Sequence, residues 1–236
     1  MTEKPTDHFD IIVIGAGPGG YVAAIRASQL GMKTAIFEKA DMGGVCLNWG
    51  CIPTKAMLRS SEMYAHMQNA EHYGLSAKPG FDLSAIVKRS RDIAGKLSGG
   101  IDFLMKKNKV TVIKAAASLH ASDGKTPSVT AGDTTYSADH IILATGARAR
   151  TIESIGAVPD GKKIWTSREA MVPETLPKKL LVVGSGAIGL EFASFYNGLG
   201  SEVTVIEVMD RILLQEDAEI AALAQKSFEK RGVNFR

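Results

Sequence analysis

The feature that most restricts this chain is a glycine pattern that occurs twice. Gly15-Ala16-Gly17-Pro18-Gly19-Gly20 follows at once on the apolar run Phe9 to Ile14, and Gly184-Ser185-Gly186-Ala187-Ile188-Gly189 follows on Lys179 to Val183. A shift of 169 residues lays Gly15, Gly17, Gly20, Gly31 and Glu38 on Gly184, Gly186, Gly189, Gly200 and Glu207. Five coincidences at one offset indicate two copies of one unit. In the first copy a short β-branched run reads as a buried parallel strand, and Lys179 to Val183 reads as a strand in the second. Tyr21 to Leu30 and Leu190 to Leu199 read as the helices that follow, with Ala23, Ala24 and Ala27 small enough to pack closely. Gly31 and Gly200 close them as C-terminal caps. Thr34 to Phe37 and Val203 to Ile206 read as second strands, each running into an acid. The fold class is therefore α/β, with two Rossmann-like dinucleotide-binding domains.

The residue types suit phosphate and ribose. The first glycine permits the tight turn, the second lets a pyrophosphate approach the backbone, and the third lets helix pack on strand. The helix N-terminus then presents N–H groups and a partial positive charge to the phosphates. Glu38 and Glu207 each lie 18 residues after the third glycine of their copy, close to the ~20 expected for an acid that holds a ribose. Two complete copies imply two different dinucleotides. Glu207 would repel the extra phosphate of NADP, and Val208 brings no positive charge, so the second copy points to NAD.

Between the copies, Pro53 to Tyr73 and Leu83 to Lys107 read as helical. In the second stretch Ile86, Ile93, Leu97, Ile101 and Leu104 form a core-facing stripe, with Lys88, Arg89 and Lys96 in water. Val110 to Ile113, Ser128 to Ala131 and His140 to Ala144 read as short strands, and Pro173 to Pro177 as a linker. Ala218 to Arg231 reads as a helix capped by Gly232, and Val233 to Arg236 begins another strand. The expected division is a first domain over 1–150, carrying a helical insertion, and a second, incomplete one over 151–236.

Composition removes several classes. Of 236 residues, 45% are hydrophobic and 22% charged, as in globular chains rather than disordered ones. No apolar run reaches the ~18 residues of a membrane span. The polar start, Met1 to Asp10, is unlike a signal peptide, so a cytoplasmic location is expected. A net charge of +3 with scattered basic residues gives no reason to expect nucleic acid as partner.

The two cysteines, Cys46 and Cys51, cannot form a secreted disulfide framework. They also fall short of the four ligands of a structural zinc, and no metal is expected. Five positions apart in a regular helix, their Cα atoms would lie about 8.7 Å apart, beyond the ~7 Å a disulfide allows. Gly50 can break the helix between them, and Pro53 suits the first turn of the next. Cys51 would then stand near a helix N-terminus, where a thiolate is stabilised. Spacing alone leaves the pair either inert or redox-active.

The segment Gly43-Gly44-Val45-Cys46-Leu47-Asn48-Trp49-Gly50-Cys51-Ile52-Pro53-Thr54-Lys55 resembles the signature of the pyridine nucleotide-disulfide oxidoreductases. The similarity covers essentially the whole chain and is strongest to the dihydrolipoamide dehydrogenase branch, the flavoproteins of the 2-oxo acid dehydrogenase complexes. Ala144-Thr145-Gly146 and Ile164-Trp165-Thr166-Ser167 fall in the order of that family. The resemblance implies FAD at the first copy and NAD at the second. It implies oxidation of dihydrolipoamide, carried on a lipoyl domain, through a Cys46–Cys51 disulfide. Cys46 would be the exchange thiol and Cys51 the thiol facing the flavin. Lys55 would lie by the flavin ring and pair with Glu191. The implied FAD contacts are Gly15, Gly17, Pro18, Gly20, Glu38, Lys39, Gly44, Val45, Cys46, Lys55, Thr145 and Gly146, with Ala117 offering only backbone to the adenine. The implied NAD contacts are Gly184, Gly186, Ala187, Ile188, Gly189, Glu191 and Glu207.

The family's NADP-using members typically place a tyrosine in the helix after the second turn, and this chain has Ile188 near there and Glu207 instead. Cys51 argues against the transhydrogenase-like members, which lack a second cysteine. The family's His-Glu dyad lies in a C-terminal interface domain and serves a partner subunit, implying a homodimer at full length. None of His8, His66, His72, His120 and His140 has the matching context. The alternatives are a non-catalytic FAD- and NAD-binding fragment and a mercuric reductase-like member.

Overall fold

The computed structural model describes residues 7–120 and 126–236. The first six residues of the polar start lie outside these. The chain forms two compact units, one of Met1–Cys51 and Ile93–Arg148, the other of Ile52–Asp92 and Ala149–Arg236. Ile52–Asp92, which lies between the two stretches of the first unit, groups with the second.

The first unit is built on β1 (Asp7–Ile14), α1 (Pro18–Gln29) and β2 (Thr34–Phe37), the glycine turn joining the first two. Then come α2 (Gly44–Trp49), α3 (Cys51–Gln68), a 3₁₀ turn at Ala70–Tyr73 and α4 (Leu83–Lys107). The sheet is completed by β3 (Thr111–Ile113), β4 (Ser118–His120), β5 (Ser128–Ala131) and β6 (Thr134–Leu143), in the order β3-β2-β1-β6-β5-β4. β1 is central and parallel to both neighbours, with Ile12 beside Ala35 and Ile141. Ile12, Val13, Ala35 and Ile36 are wholly buried. An unbroken apolar run is what a strand covered on both faces requires.

Two elements depart from the sequence reading. β6 starts six residues before His140, because Thr134 to Ser137 pair antiparallel with β5. Those residues are polar or aromatic, so a search for apolar runs passes over them. Along α4 the buried positions are Ser90, Ala94, Ile101 and Met105, whereas Leu97, expected in the core, is 42% exposed. The stripe is thus narrower and shifted toward small residues. Arg89 is exposed, as expected, and also donates Nη1–H to the Ala56 carbonyl at 2.9 Å.

In the second unit α5 (Ser167–Ala170) precedes β7 (Lys179–Val183), α6 (Ala187–Gly198), β8 (Glu202–Ile206), α7 (Ala218–Lys230) and β9 (Asn234–Phe235). β7, β8 and β9 form a parallel sheet in that order. α3 packs here too: buried Ser61 donates Oγ–H to the Phe195 carbonyl of α6 at 3.2 Å. Thr166 caps α5 in a reciprocal box with Glu169, which satisfies two N–H groups of a one-turn helix.

Candidate functional site

The two glycine turns have the same local geometry. Gly15 and Gly184 have φ of 100° and 96°, a left-handed conformation that a residue with a Cβ resists. Gly20 and Gly189 sit so close to the turn that an added Cβ would fall 1.8 Å and 2.4 Å from the carbonyl oxygens of Gly15 and Gly184. Gly17 and Gly186 are the N-cap residues of α1 and α6, and neither helix start is capped by a side chain. Each therefore presents backbone N–H groups outward. Pro18 is the first residue of α1 and Ala187 of α6, and Ile188 is well exposed.

The acids complete each turn. Glu38 Oε2 accepts the Ala16 N–H at 2.8 Å, and Oε1 accepts the Ala40 N–H at 2.9 Å. Glu207 Oε2 accepts the Ser185 N–H at 2.9 Å, and Oε1 accepts the Met209 N–H at 3.1 Å. The repeat thus extends from the glycines to the bonds of the acids. Glu207 has two further donors, the Ser185 hydroxyl at 2.7 Å and the Val208 N–H at 2.8 Å. These donors favour its charged form and hold its pKa at about 2, the Ser185 hydroxyl contributing most.

The end of β6 lies beside the first turn. The Ala144 N–H donates to the Ile14 carbonyl at 2.8 Å, and the Thr145 Cα would be 3.1 Å from a Cβ on Gly15. Thr145 and Gly146 are thereby brought to the turn. Gly44 comes to it from the other direction, since its added Cβ would lie 2.7 Å from the Gly17 Cα. Lys39 and Val45 are exposed on the same unit. Ala117 packs against the core cluster that holds Phe9 and Phe37. A glycine-lined backbone surface, uncapped helix ends and acids at both strand ends fit a dinucleotide at each turn.

Cys46 lies within α2 and Cys51 opens α3, with Gly50 between them at φ −151° and ψ −116°. The regular helix is broken between them. A Cβ on Gly50 would meet the Val45 oxygen at 3.0 Å and the Cys46 Cα at 3.3 Å, so glycine also lets the break fold tightly. Both side chains are thiols here, and the disulfide belongs to the proposed chemistry. Asn48, which the sequence reading passed over, anchors the segment: its Nδ2–H₂ donates to the Met42 carbonyl at 2.9 Å and to the Gly44 carbonyl at 3.0 Å. Ser98 Oγ–H donates to the same Met42 carbonyl at 2.6 Å.

The structure brings Lys55 and Glu191 together, 136 positions apart, with Nζ 2.5 Å from Oε1. Among the described residues no group of three or more His, Cys, Asp or Glu could hold a metal, and no helix is long and apolar enough to cross a membrane.

Residues 9–236 match the family model described as "Pyridine nucleotide-disulphide oxidoreductase". The chain is 53% identical over 231 residues to the Zymomonas mobilis protein named "Dihydrolipoyl dehydrogenase", covering 97% of this chain and 49% of that one. It is 53% identical over 248 residues to the Rhizobium etli protein of the same name, covering 97% and 51%. The crystal structure of LpdA from Mycobacterium tuberculosis superposes with a TM-score of 0.87 at 32% identity, over 98% of this chain and 51% of that one. The chain spans about half the length of the curated relatives it matches. With the turns, the acids and the cysteine pair in place, the chain belongs to the pyridine nucleotide-disulphide oxidoreductase family.

Proposed function

We propose that this chain is the cofactor-holding and disulfide-bearing part of a flavoprotein that oxidises dihydrolipoamide to lipoamide with NAD as electron acceptor. The observation that carries this reading is the broken helix at Gly50. It sets two cysteines at the junction of α2 and α3, on a segment whose start lies against the first dinucleotide turn. The names of the relatives support the substrate class.

The proposed exchange begins from the oxidised pair. One thiolate of dihydrolipoamide attacks Cys46 Sγ, an S–S bond forms there, and the Cys46–Cys51 bond breaks with Cys51 leaving as thiolate. The second dihydrolipoamide thiolate then attacks the mixed disulfide, closing lipoamide and releasing Cys46 as thiolate. Two electrons have passed to the pair, and the two thiol protons of the substrate to solvent. Cys51 opens α3, where the helix dipole favours the negative charge it receives. Gly15, Gly17, Glu38 and Thr145 would hold FAD, and Gly184, Gly186 and Glu207 would hold NAD. When bound, these cofactors supply the two-electron redox chemistry that reoxidises the pair. Lys55 and Glu191 would fix the flavin side of that arrangement. The physiological partner would be a lipoyl group of a 2-oxo acid dehydrogenase complex, and the working assembly a homodimer.

The test is absorption spectroscopy with thiol labelling. Purified protein mixed with FAD and desalted is expected to retain a flavin spectrum that dithionite bleaches. Air-oxidised protein is expected to resist alkylation at Cys46 and Cys51 until dihydrolipoamide is added. Labelling of both cysteines without any reductant would overturn the exchange.

A further inference from the structure

The two turns differ at the residue after the first glycine. Ala16 stands there in the first copy and Ser185 in the second. Ser185 is 1% exposed, and its hydroxyl and its N–H both donate to Glu207 Oε2, at 2.7 Å and 2.9 Å. Glu207 Oε1 accepts the N–H groups of Val208 and Met209 at 2.8 Å and 3.1 Å. A carboxylate offers about four lone-pair sites, and these donors fill them. Glu38 accepts Ala16 N–H on one oxygen and Ala40 N–H on the other. Alanine brings no hydroxyl, and among the described residues a second acceptor site on each Glu38 oxygen is left for a ligand.

An acid at this position serves a dinucleotide by accepting ribose hydroxyls. A ribose arriving at Glu38 adds hydrogen bonds to acceptor sites left for it. A ribose arriving at Glu207 meets a carboxylate already saturated from within the chain. The backbone N–H donors are fixed by the turn, whereas the Ser185 hydroxyl hydrogen can turn about the Cβ–Oγ bond without moving a heavy atom. It is therefore the donor that yields.

We infer that Ser185 is a positioning residue that weakens nucleotide binding at the second turn, its hydroxyl holding the Glu207 acceptor site that a ribose hydroxyl must take. The inference rests on the reading that Glu207 holds the adenosine ribose of NAD. Binding there exchanges one charge-assisted hydrogen bond for another, so the ribose contributes less than its contact would suggest. The same exchange eases departure, which suits a dinucleotide that must leave in every turnover. The first turn, with alanine, has no such device.

Isothermal calorimetry on the 236-residue chain tests this with two ligands: NAD, and an NAD analogue whose adenosine ribose lacks both hydroxyls. Ser185→Ala is expected to tighten NAD about threefold to tenfold and to leave the analogue unchanged. Unchanged or weaker NAD binding by Ser185→Ala, or equal tightening of both ligands, overturns the inference. Glu207→Gln separates that failure from failure of the cofactor reading. If Glu207→Gln weakens NAD while Ser185→Ala does nothing, Glu207 keeps its ribose role and only the competition is refuted. If Glu207→Gln binds NAD as the parent does, or no protein in the set binds it, the reading and the inference fall together.

Discussion

The carboxylate of Glu207 holds Ser185 twice, accepting its backbone N–H at 2.9 Å and its hydroxyl at 2.7 Å on the same oxygen. This ties the end of β8 to the turn that follows β7, 22 positions earlier in the chain. Glu38 ties the end of β2 to Ala16 in the same way, by backbone alone. Each acid is thus a structural clamp before it meets any ligand.

The clamp makes the second unit sensitive to acid. The pKa of Glu207 is lowered from its ordinary 4.5 to about 2 when folded. A carboxyl lowered in this way stabilises the folded state fully above 4.5, and that stability is lost as pH falls toward about 2. Glu207→Gln is expected to lower the thermal midpoint at neutral pH and to flatten its decline between pH 4.5 and 2. Thermal scans across that range check this, and parallel declines in parent and variant would remove the clamp from the account of stability.

The close approach inside the first turn gives a sharper mutational contrast. Gly20→Ala would place a Cβ 1.8 Å from a backbone oxygen, and Gly189→Ala one at 2.4 Å. In neither case can a flexible side chain move aside. Both are expected to destabilise their units by about 3 kcal/mol or more, with Gly20→Ala the worse. Urea denaturation of the two variants tests the ranking.

Lys55 and Glu191 should behave differently. Their side chains are 61% and 27% exposed, and an ion pair with one solvated partner contributes about 0–1 kcal/mol. A double-mutant cycle with Lys55→Met and Glu191→Gln is therefore expected to return a coupling no larger than about 1 kcal/mol in unfolding experiments. A larger coupling would mean that the pair is a structural lock.

The sequence made the parallel strands and both acids legible because each depends on one strong local signal. Ile11 to Ile14 is an apolar run that stops at a glycine, and Glu38 and Glu207 share one offset from their turns. Thr134 to Ser137 was not legible, because its strand state comes from pairing with β5 rather than from its own hydrophobicity. Ser118 to His120 forms a strand whose three residues are all exposed, which leaves no burial pattern to read. The role of Ser185 was accessible in principle. Laying the copies over one another sets it on Ala16, but only the bond from its hydroxyl to Glu207 gives the difference a meaning. Lys55 and Glu191 were paired through the family resemblance, and no periodicity links positions 136 apart.

Gly198 and Ser61 give the last test, one of packing between α3 and α6. An added Cβ on Gly198 would lie 2.2 Å from Ser61 Oγ, yet 3.5 Å from Ser61 Cβ. The obstacle is therefore one hydroxyl. Ser61 is buried, so that hydroxyl has little room to move. Gly198→Ala alone is expected to destabilise by about 1–3 kcal/mol through the clash. Ser61→Ala alone forfeits the hydrogen bond to the Phe195 carbonyl, worth about 1 kcal/mol. In the double variant the two methyl groups meet at an ordinary contact distance, and alanine is favoured over glycine within a helix by about 1 kcal/mol. The double variant is thus expected to be more stable than Gly198→Ala and close to the parent. Urea denaturation of the four proteins measures this, and simple addition of the two single losses would show that the helices part at this contact instead of clashing.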